Sequence, residues 1–97
     1  MYKQYDNAIK YWKRAFYHAQ RADDKDSDAA KKFIYATKYN IACAYAYIRD
    51  ENKSILWLNK SLKRNKEYRL NLIFTDHDLD MVRDTLEFKK FSSTLKM

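Results

Sequence analysis

The chain has 97 residues, a net charge of +7, one cysteine, and neither glycine nor proline. This length allows one small domain, and the missing turn residues favour a nearly all-helical fold and exclude glycine-rich phosphate loops. A single cysteine excludes an internal disulfide framework and most zinc sites. No apolar run has the length of a membrane span or resembles a secretion signal, so a cytoplasmic location is expected. A secreted or periplasmic location stays open if Met1 is not the natural start.

The first predicted helix covers residues 6–22. Ile9, Trp12 and Phe16 recur at helical spacing and give it one apolar face. The rest of its surface is basic, since residues 1–22 carry five basic side chains and one acidic side chain. Residues 50–69 are basic as well, with six basic and three acidic side chains, so an acidic partner is a reasonable expectation for the chain.

The second predicted helix covers residues 28–48, with Asp26 or Ser27 as its N-cap. Its apolar residues lie on more than one side, which is typical of a helix sandwiched between neighbours. The third predicted helix covers residues 51–64 and is capped by Asp50. Together these two helices are expected to contain most of the core.

The last third of the chain is predicted to contain short helices. One covers residues 66–74, and Thr75 with Asp78 then has the spacing of a capping box. Asp84 and Glu87 have the same spacing and are predicted to open the last helix. The expected fold is therefore all-α, with about five helices.

Small and large residues alternate at fixed helical offsets in the second and third helices. The first of these helices carries Ile41, Ala42 and Tyr45, and the next carries Ser54, Leu58 and Ser61. This pattern resembles the tetratricopeptide repeat (TPR), a helix-turn-helix unit with a large-small-x-x-aromatic helix followed by a small-x-x-x-large-x-x-small helix. The resemblance implies antiparallel helix pairs in a short right-handed α-solenoid fragment, with one complete repeat over residues 28–64.

The flanking segments also resemble parts of TPR arrays. Residues 6–22 resemble the second helix of an incomplete repeat, on the strength of Ala8, Trp12 and Ala15. Residues 66–95 are identified as C-terminal capping helices, because residues 78–83 resemble the Asp-Leu-Asp-x-x-Arg ending that follows terminal repeats in many bacterial proteins. Two departures from the repeat are Lys66, where a proline is usual, and Arg49, where a glycine separates the helices.

The resemblance implies a protein–protein interaction module that acts as a scaffold. TPR arrays bind peptides along the first helices of their pairs, and those positions are here Ala36, Tyr39, Asn40, Cys43 and Tyr47. Tyrosine and asparagine side chains there would contact a peptide or protein partner, through a tyrosine-rich groove. The alternative is that these side chains only pack within the chain, as Tyr39 would against Phe33 or Tyr68.

The first helix has no preceding helix to pair with in the TPR interpretation. Its apolar residues Ile9, Trp12 and Phe16 therefore form a candidate self-association face, and a homodimer is one expected outcome. A second possibility for this face is contact with a neighbouring repeat. A third interpretation makes the chain a structural end-cap of a larger array, without a ligand of its own.

Basic residues cluster around the end of the third helix, at Lys60, Lys63, Arg64, Lys66 and Arg69. These are candidate polyanion contacts, and nucleic-acid binding is the alternative function. Cations also favour helix C-termini, where the last carbonyl groups point outward. A solvated helix surface explains the cluster better than nucleic acid does.

Neither catalysis nor metal binding is expected. Asp76, Asp78, Asp80 and Glu87 have the spacing of a calcium loop, but Met81 lies where such a loop needs glycine. The repeat-end interpretation explains the same acids as helix caps. Cys43 lies among small residues, and the two histidines are not near it in the sequence. The sequence therefore predicts no enzyme activity and no cofactor.

Overall fold

A computed structural model describes the backbone of residues 2–23, 25–62 and 66–95, and the side chains of residues 4–23, 25–62 and 71–95. These ranges contain helices and no strand, which confirms the all-α prediction. The helices are α1 (Tyr2–Arg21), α2 (Asp28–Tyr47), α3 (Glu51–Ser61), α4 (Lys66–Thr75), α5 (Asp80–Arg83) and α6 (Leu86–Leu95), with a 3₁₀ turn at His77–Leu79 between α4 and α5. None of the helices in these ranges is both long enough and apolar enough to cross a bilayer.

Six α-helices are present in the described ranges where the sequence predicted about five. The additional helix is α5, a single turn that the sequence pattern does not separate from its neighbours. Helix α1 begins at Tyr2, before the predicted start at residue 6. Its first turns gain a tertiary contact, because Tyr5 stacks on Tyr47 with ring centroids 4.8 Å apart. Because the start of α1 contacts the end of α2, the two helices run antiparallel.

Helix α2 is the centre of the structure, as its apolar residues on several sides predict. It contacts α1, α3, α5 and the 3₁₀ turn, and every residue from 41 to 46 is buried. Close approach to α3 is possible because Ser54 is small and fully buried, and its hydroxyl donates to the carbonyl oxygen of Ala42 at 2.9 Å. Phe16 of α1 meets Trp57 of α3 edge to face, so the three helices share one core.

Arg49, at the position where the repeat usually has glycine, lies in the turn between α2 and α3. Arg49 has φ 62°, in the left-handed region that favours glycine. The backbone N–H of Arg49 donates to Ala46 and that of Asp50 donates to Tyr45, which together form a Schellman motif. Asp50 then caps α3 by accepting from the N–H of Lys53, as predicted. The chain thus forms the usual helix-ending turn with a residue that pays a steric cost there.

The predicted N-cap residues are correct at some helices and wrong at others. Ser27 caps α2 by accepting from the N–H of Ala30. The 3₁₀ turn is capped by Asp76, which accepts from the N–H of Asp78, and not by Thr75, which is still helical and whose hydroxyl donates to Asn71. Helix α6 is opened by Thr85, which accepts from the N–H of Phe88, and not by Asp84. In both errors the true cap is one residue later, because the preceding turn of helix persists.

Residues 76–83, which include the segment that resembles a repeat ending, form a compact unit that we call the cap. Arg83 donates to the carbonyl oxygens of Ile73 and Asp76, and it also pairs with Asp80. Leu79 and Val82 are fully buried. The arginine therefore holds the end of α4 and the start of the 3₁₀ turn together, while the apolar residues fix the segment on the core.

Candidate partner-binding surfaces

Two aspartates of the chain itself, Asp76 and Asp78, contact the predicted groove on α2. We call residues 76–78 the acidic segment. Tyr39 is buried, and its hydroxyl donates to Oδ2 of Asp76 at 2.7 Å. Burial raises the pKa of the Tyr39 phenol well above its ordinary value, and the hydrogen bond to the Asp76 carboxylate raises it further. Tyr39 is therefore a neutral donor that connects α2 to the cap.

A second tyrosine of the predicted groove makes the same kind of bond closer to the surface. The hydroxyl of Tyr47 donates to Oδ1 of Asp78 at 2.6 Å. This hydrogen bond is the main reason that the pKa of Tyr47 is raised to about 12. Tyr39 and Tyr47 lie two helical turns apart on α2, and each binds one carboxylate of the segment 76–78.

Cys43 lies between these two tyrosines on α2, one turn from each. Its sulfur and one carboxylate oxygen each from Asp76 and Asp78 lie within 4.8 Å of one another. Burial, followed by the two negative charges, raises the pKa of the thiol to about 12, so it stays protonated at neutral pH. Both carboxylates already accept hydrogen bonds from tyrosines. The arrangement is therefore a hydrogen-bonded contact within the chain.

The remaining groove residues differ in accessibility. Asn40 is exposed and Ala36 is half-buried. The four acids at calcium-loop spacing make separate contacts within the chain. Asp76 and Asp78 accept from tyrosines, Asp80 contacts His77 and Arg83, and Glu87 is exposed in the first turn of α6. The structure thus brings three predicted groove residues together under the cap and leaves Asn40 as the freely accessible one.

The candidate self-association face of α1 is largely inside the chain. Ile9 is 5% exposed and Phe16 is 6% exposed, whereas Trp12 is half-buried. The expectation that α1 lacks a partner helix overlooked α2, whose second apolar side covers these residues. The homodimer stays a prediction, but this face offers it little apolar surface.

Only part of the basic cluster lies within the described side chains. Lys60 is half-buried, with its Nζ 4.5 Å from the centroid of a Trp57 ring. Lys63 and Arg64 lie outside the described residues. Lys66 and Arg69 belong to the described backbone of α4, but their side chains lie outside the described set. The predicted polyanion contact at these positions therefore stays a prediction.

The structure reveals a surface that the sequence argument did not single out, on the side of α1 that faces away from the core. We call it the α1 outer face. Its six residues are all exposed and fall within about 120° of the helix circumference. They are Lys10, Tyr11, Arg14, Tyr17, His18 and Arg21. A helical wheel of the polar side of α1 reveals this stripe, because its two tyrosines interrupt an otherwise polar face.

No known protein family, curated protein or solved structure matches the chain.

Proposed function

We propose that the chain is a protein-binding module built on TPR-like helix pairs, and that it binds an acidic protein partner on the α1 outer face. One observation carries the proposal: Tyr11 is 64% exposed and Tyr17 is 47% exposed, on a face that also presents three basic side chains. Tyrosine and arginine are enriched at protein interfaces and at their energetic hot spots. Charge complementarity then favours a partner whose surface is acidic.

The TPR-like part of the proposal is supported by local contacts. The small residue Ser54 lets α2 and α3 approach, as small positions of a repeat do, and Arg49 closes the turn at the usual glycine position. The segment that resembles a repeat ending is folded onto α2 and held by Arg83. A scaffold of this kind would keep α1 rigid, so that its outer face is preorganised for binding.

The α1 outer face is the better candidate than the α2 groove because its side chains are free of the cap. In the groove, Tyr39 and Tyr47 already donate to Asp76 and Asp78. A partner that used these phenols would have to displace those carboxylates. Groove binding centred on Asn40 stays a separate prediction, and it would require release of the cap.

Nucleic acid is the weaker candidate for the same face. The three basic residues lie along about three turns of helix, or roughly 16 Å. Specific nucleic-acid binding typically draws on about six to ten phosphate contacts. Lys10, Arg14 and Arg21 are too few for that, whereas a protein interface gains most from the two exposed aromatic rings.

The test is a selection of peptides from a displayed random library on the purified chain. We expect enrichment of sequences that combine aspartate or glutamate with apolar residues. The variant Tyr11→Ala/Tyr17→Ala should lose this enrichment while keeping its helical circular dichroism spectrum. The matched control is Phe33→Ala/Leu56→Ala, which removes exposed apolar surface from α2 and α3 and should select the same peptides as the wild type.

Two outcomes would contradict the proposal. One is an equal loss of enrichment in both double variants, since the α1 outer face would then have no special role. The other is binding of a labelled 20-nucleotide single strand more tightly than any selected peptide, with an affinity that falls steeply as salt increases. That result would favour the polyanion function.

A further inference from the structure

A second feature, beside the α1 outer face, has the volume of a small-molecule site. It is a pocket of about 520 Å³ between α1, the end of α2 and the start of α3. Pockets that bind small molecules commonly have about 300–1,000 Å³. The residues lining it are Asp6, Ile9, Lys10, Lys13, Tyr45, Ile48, Asp50 and Lys53.

One of the lining residues is Lys13, whose ammonium group lies against Tyr45. This side chain is half-buried, and its Nζ donates to the hydroxyl of Tyr45 at 2.8 Å. It also lies 5.3 Å from the ring centroid of Tyr45 and 5.7 Å from that of Trp57. Among the described side chains, no carboxylate lies within ion-pair distance of it. Lys13 therefore has no counter-ion among the described side chains. Buried charges are usually paired, so a negatively charged group would be stabilised next to it.

Tyr45 supplies a second donor at the same place. It is 6% exposed, and its oxygen accepts a hydrogen bond from Lys13. Its own proton has no acceptor among the described residues. Buried hydroxyl groups rarely remain without one, and an acceptor in the pocket would satisfy both Tyr45 and Lys13.

We propose that this pocket binds a carboxylate group carried on a short apolar stem. The carboxylate would accept hydrogen bonds from Lys13 and Tyr45, and the stem would pack on Ile9 and Ile48. Three lysines and two aspartates give the lining a net charge of +1. This net charge favours an anion, and inorganic phosphate lacks the apolar stem that would pack on Ile9 and Ile48.

Two sources could supply such a carboxylate. The first is a glutamate side chain of a protein that lies on the α1 outer face, because Lys10 belongs to both surfaces. The second is a free organic acid. Both sources would present the same carboxylate to Lys13 and Tyr45. The inference does not depend on the proposed function.

The test is a titration of the isotope-labelled chain with benzoate, followed by the backbone amide resonances. Neutral benzamide serves as the matched probe, and inorganic phosphate as the doubly charged one. We expect saturable shifts near residues 9–13 and 45–53 with benzoate, and at least about tenfold weaker binding of benzamide, as expected for loss of about 1.4 kcal/mol. Phosphate should bind more weakly than benzoate.

Variants locate the interaction. Lys13→Gln should weaken benzoate binding by about tenfold or more. Tyr45→Phe keeps the ring and should weaken it several-fold, which provides a second reading if the lysine variant is unstable. Lys60→Gln is the matched control, because this lysine also lies over a Trp57 ring but does not line the pocket. It should bind benzoate like the wild type.

The outcomes separate the sources and the two proposals. Benzoate shifts that persist in both pocket variants, equal binding of benzamide, or no saturable shift would overturn the carboxylate site. A peptide with one glutamate that binds more tightly than benzoate, and loses this advantage in Lys13→Gln, would identify a protein as the source. If benzoate fails while acidic peptides are still selected through Tyr11 and Tyr17, the pocket proposal is wrong and the proposed function stands.

Discussion

Tyr39 and Asp76 are joined by a hydrogen bond of 2.7 Å although 37 residues separate them in the sequence. The donor is buried in the central helix, and the acceptor is the residue that caps the 3₁₀ turn. One carboxylate therefore serves both as a helix cap and as a tertiary contact. Its neighbour Asp78 repeats the tertiary bond with Tyr47 nearer to solvent.

We expect Tyr39→Phe to destabilise the chain by about 1.5–3 kcal/mol, since a hydrogen bond to a charged group in a partly buried place is lost. Urea unfolding followed by circular dichroism measures this change. Tyr47→Phe is the matched control, and it should cost under about 1 kcal/mol because its bond is exposed. Equal losses in the two variants would show that burial of the Tyr39 bond is unimportant.

Cys43 should react slowly with thiol reagents in the folded chain. A thiol whose pKa is about 12 is ionised in roughly one molecule in 10⁴ at pH 8, whereas an ordinary thiol is ionised in about a quarter of molecules. We expect reaction with a disulfide reagent to be slower by about a thousandfold than in guanidinium chloride. Complete modification within minutes, with an unchanged circular dichroism spectrum, would contradict the buried and protonated state.

Arg49→Gly should stabilise the chain. The left-handed backbone at φ 62° costs a residue with a Cβ about 1 kcal/mol that glycine avoids. For a domain of this size, a gain of about 1 kcal/mol corresponds to an increase of about 4–8 °C in the melting temperature. Arg49→Ala is the control, because it removes the charge and keeps the Cβ. If both variants melt at the same temperature, the backbone argument is wrong.

The cap should weaken in acid. The hydrogen bond with His77, followed by that with Arg83, lowers the pKa of Asp80 below its ordinary value of 3.8. Since the folded pKa is the lower one, the stabilisation is present above the unfolded value and is lost as pH falls through the folded value. Urea midpoints measured between about pH 5 and pH 2 should fall more steeply for the wild type than for Asp80→Asn. Parallel curves would show that Asp80 contributes nothing.

Patterns within single helices could be predicted from the sequence. Ile41 and Leu58 are fully buried, as expected of large apolar residues at helical spacing, and the apolar residues on several sides of α2 indicated its central place. Helix spacing alone defines such faces, so no knowledge of distant contacts is needed. The N-caps were less certain, because neighbouring residues such as Thr75 and Asp76 can both cap a turn.

Contacts between distant segments could not be predicted in the same way. Nothing in the local sequence around Tyr39 indicates that Asp76 will meet it, since a hydrogen bond between two side chains has no periodic signal. The covering of Ile9 and Phe16 depends likewise on how α1 crosses α2. The pocket around Lys13 combines residues from three helices, and only their packing brings these residues together.

A partner that used the α2 groove would compete with Asp76 and Asp78, which already accept the hydrogen bonds of Tyr39 and Tyr47. These carboxylates belong to the same chain, so their competition does not weaken on dilution. An external acidic peptide would have to outweigh both bonds before it displaced them. We expect weak ligands to be excluded from the groove, and only a partner with further contacts outside it would open the cap.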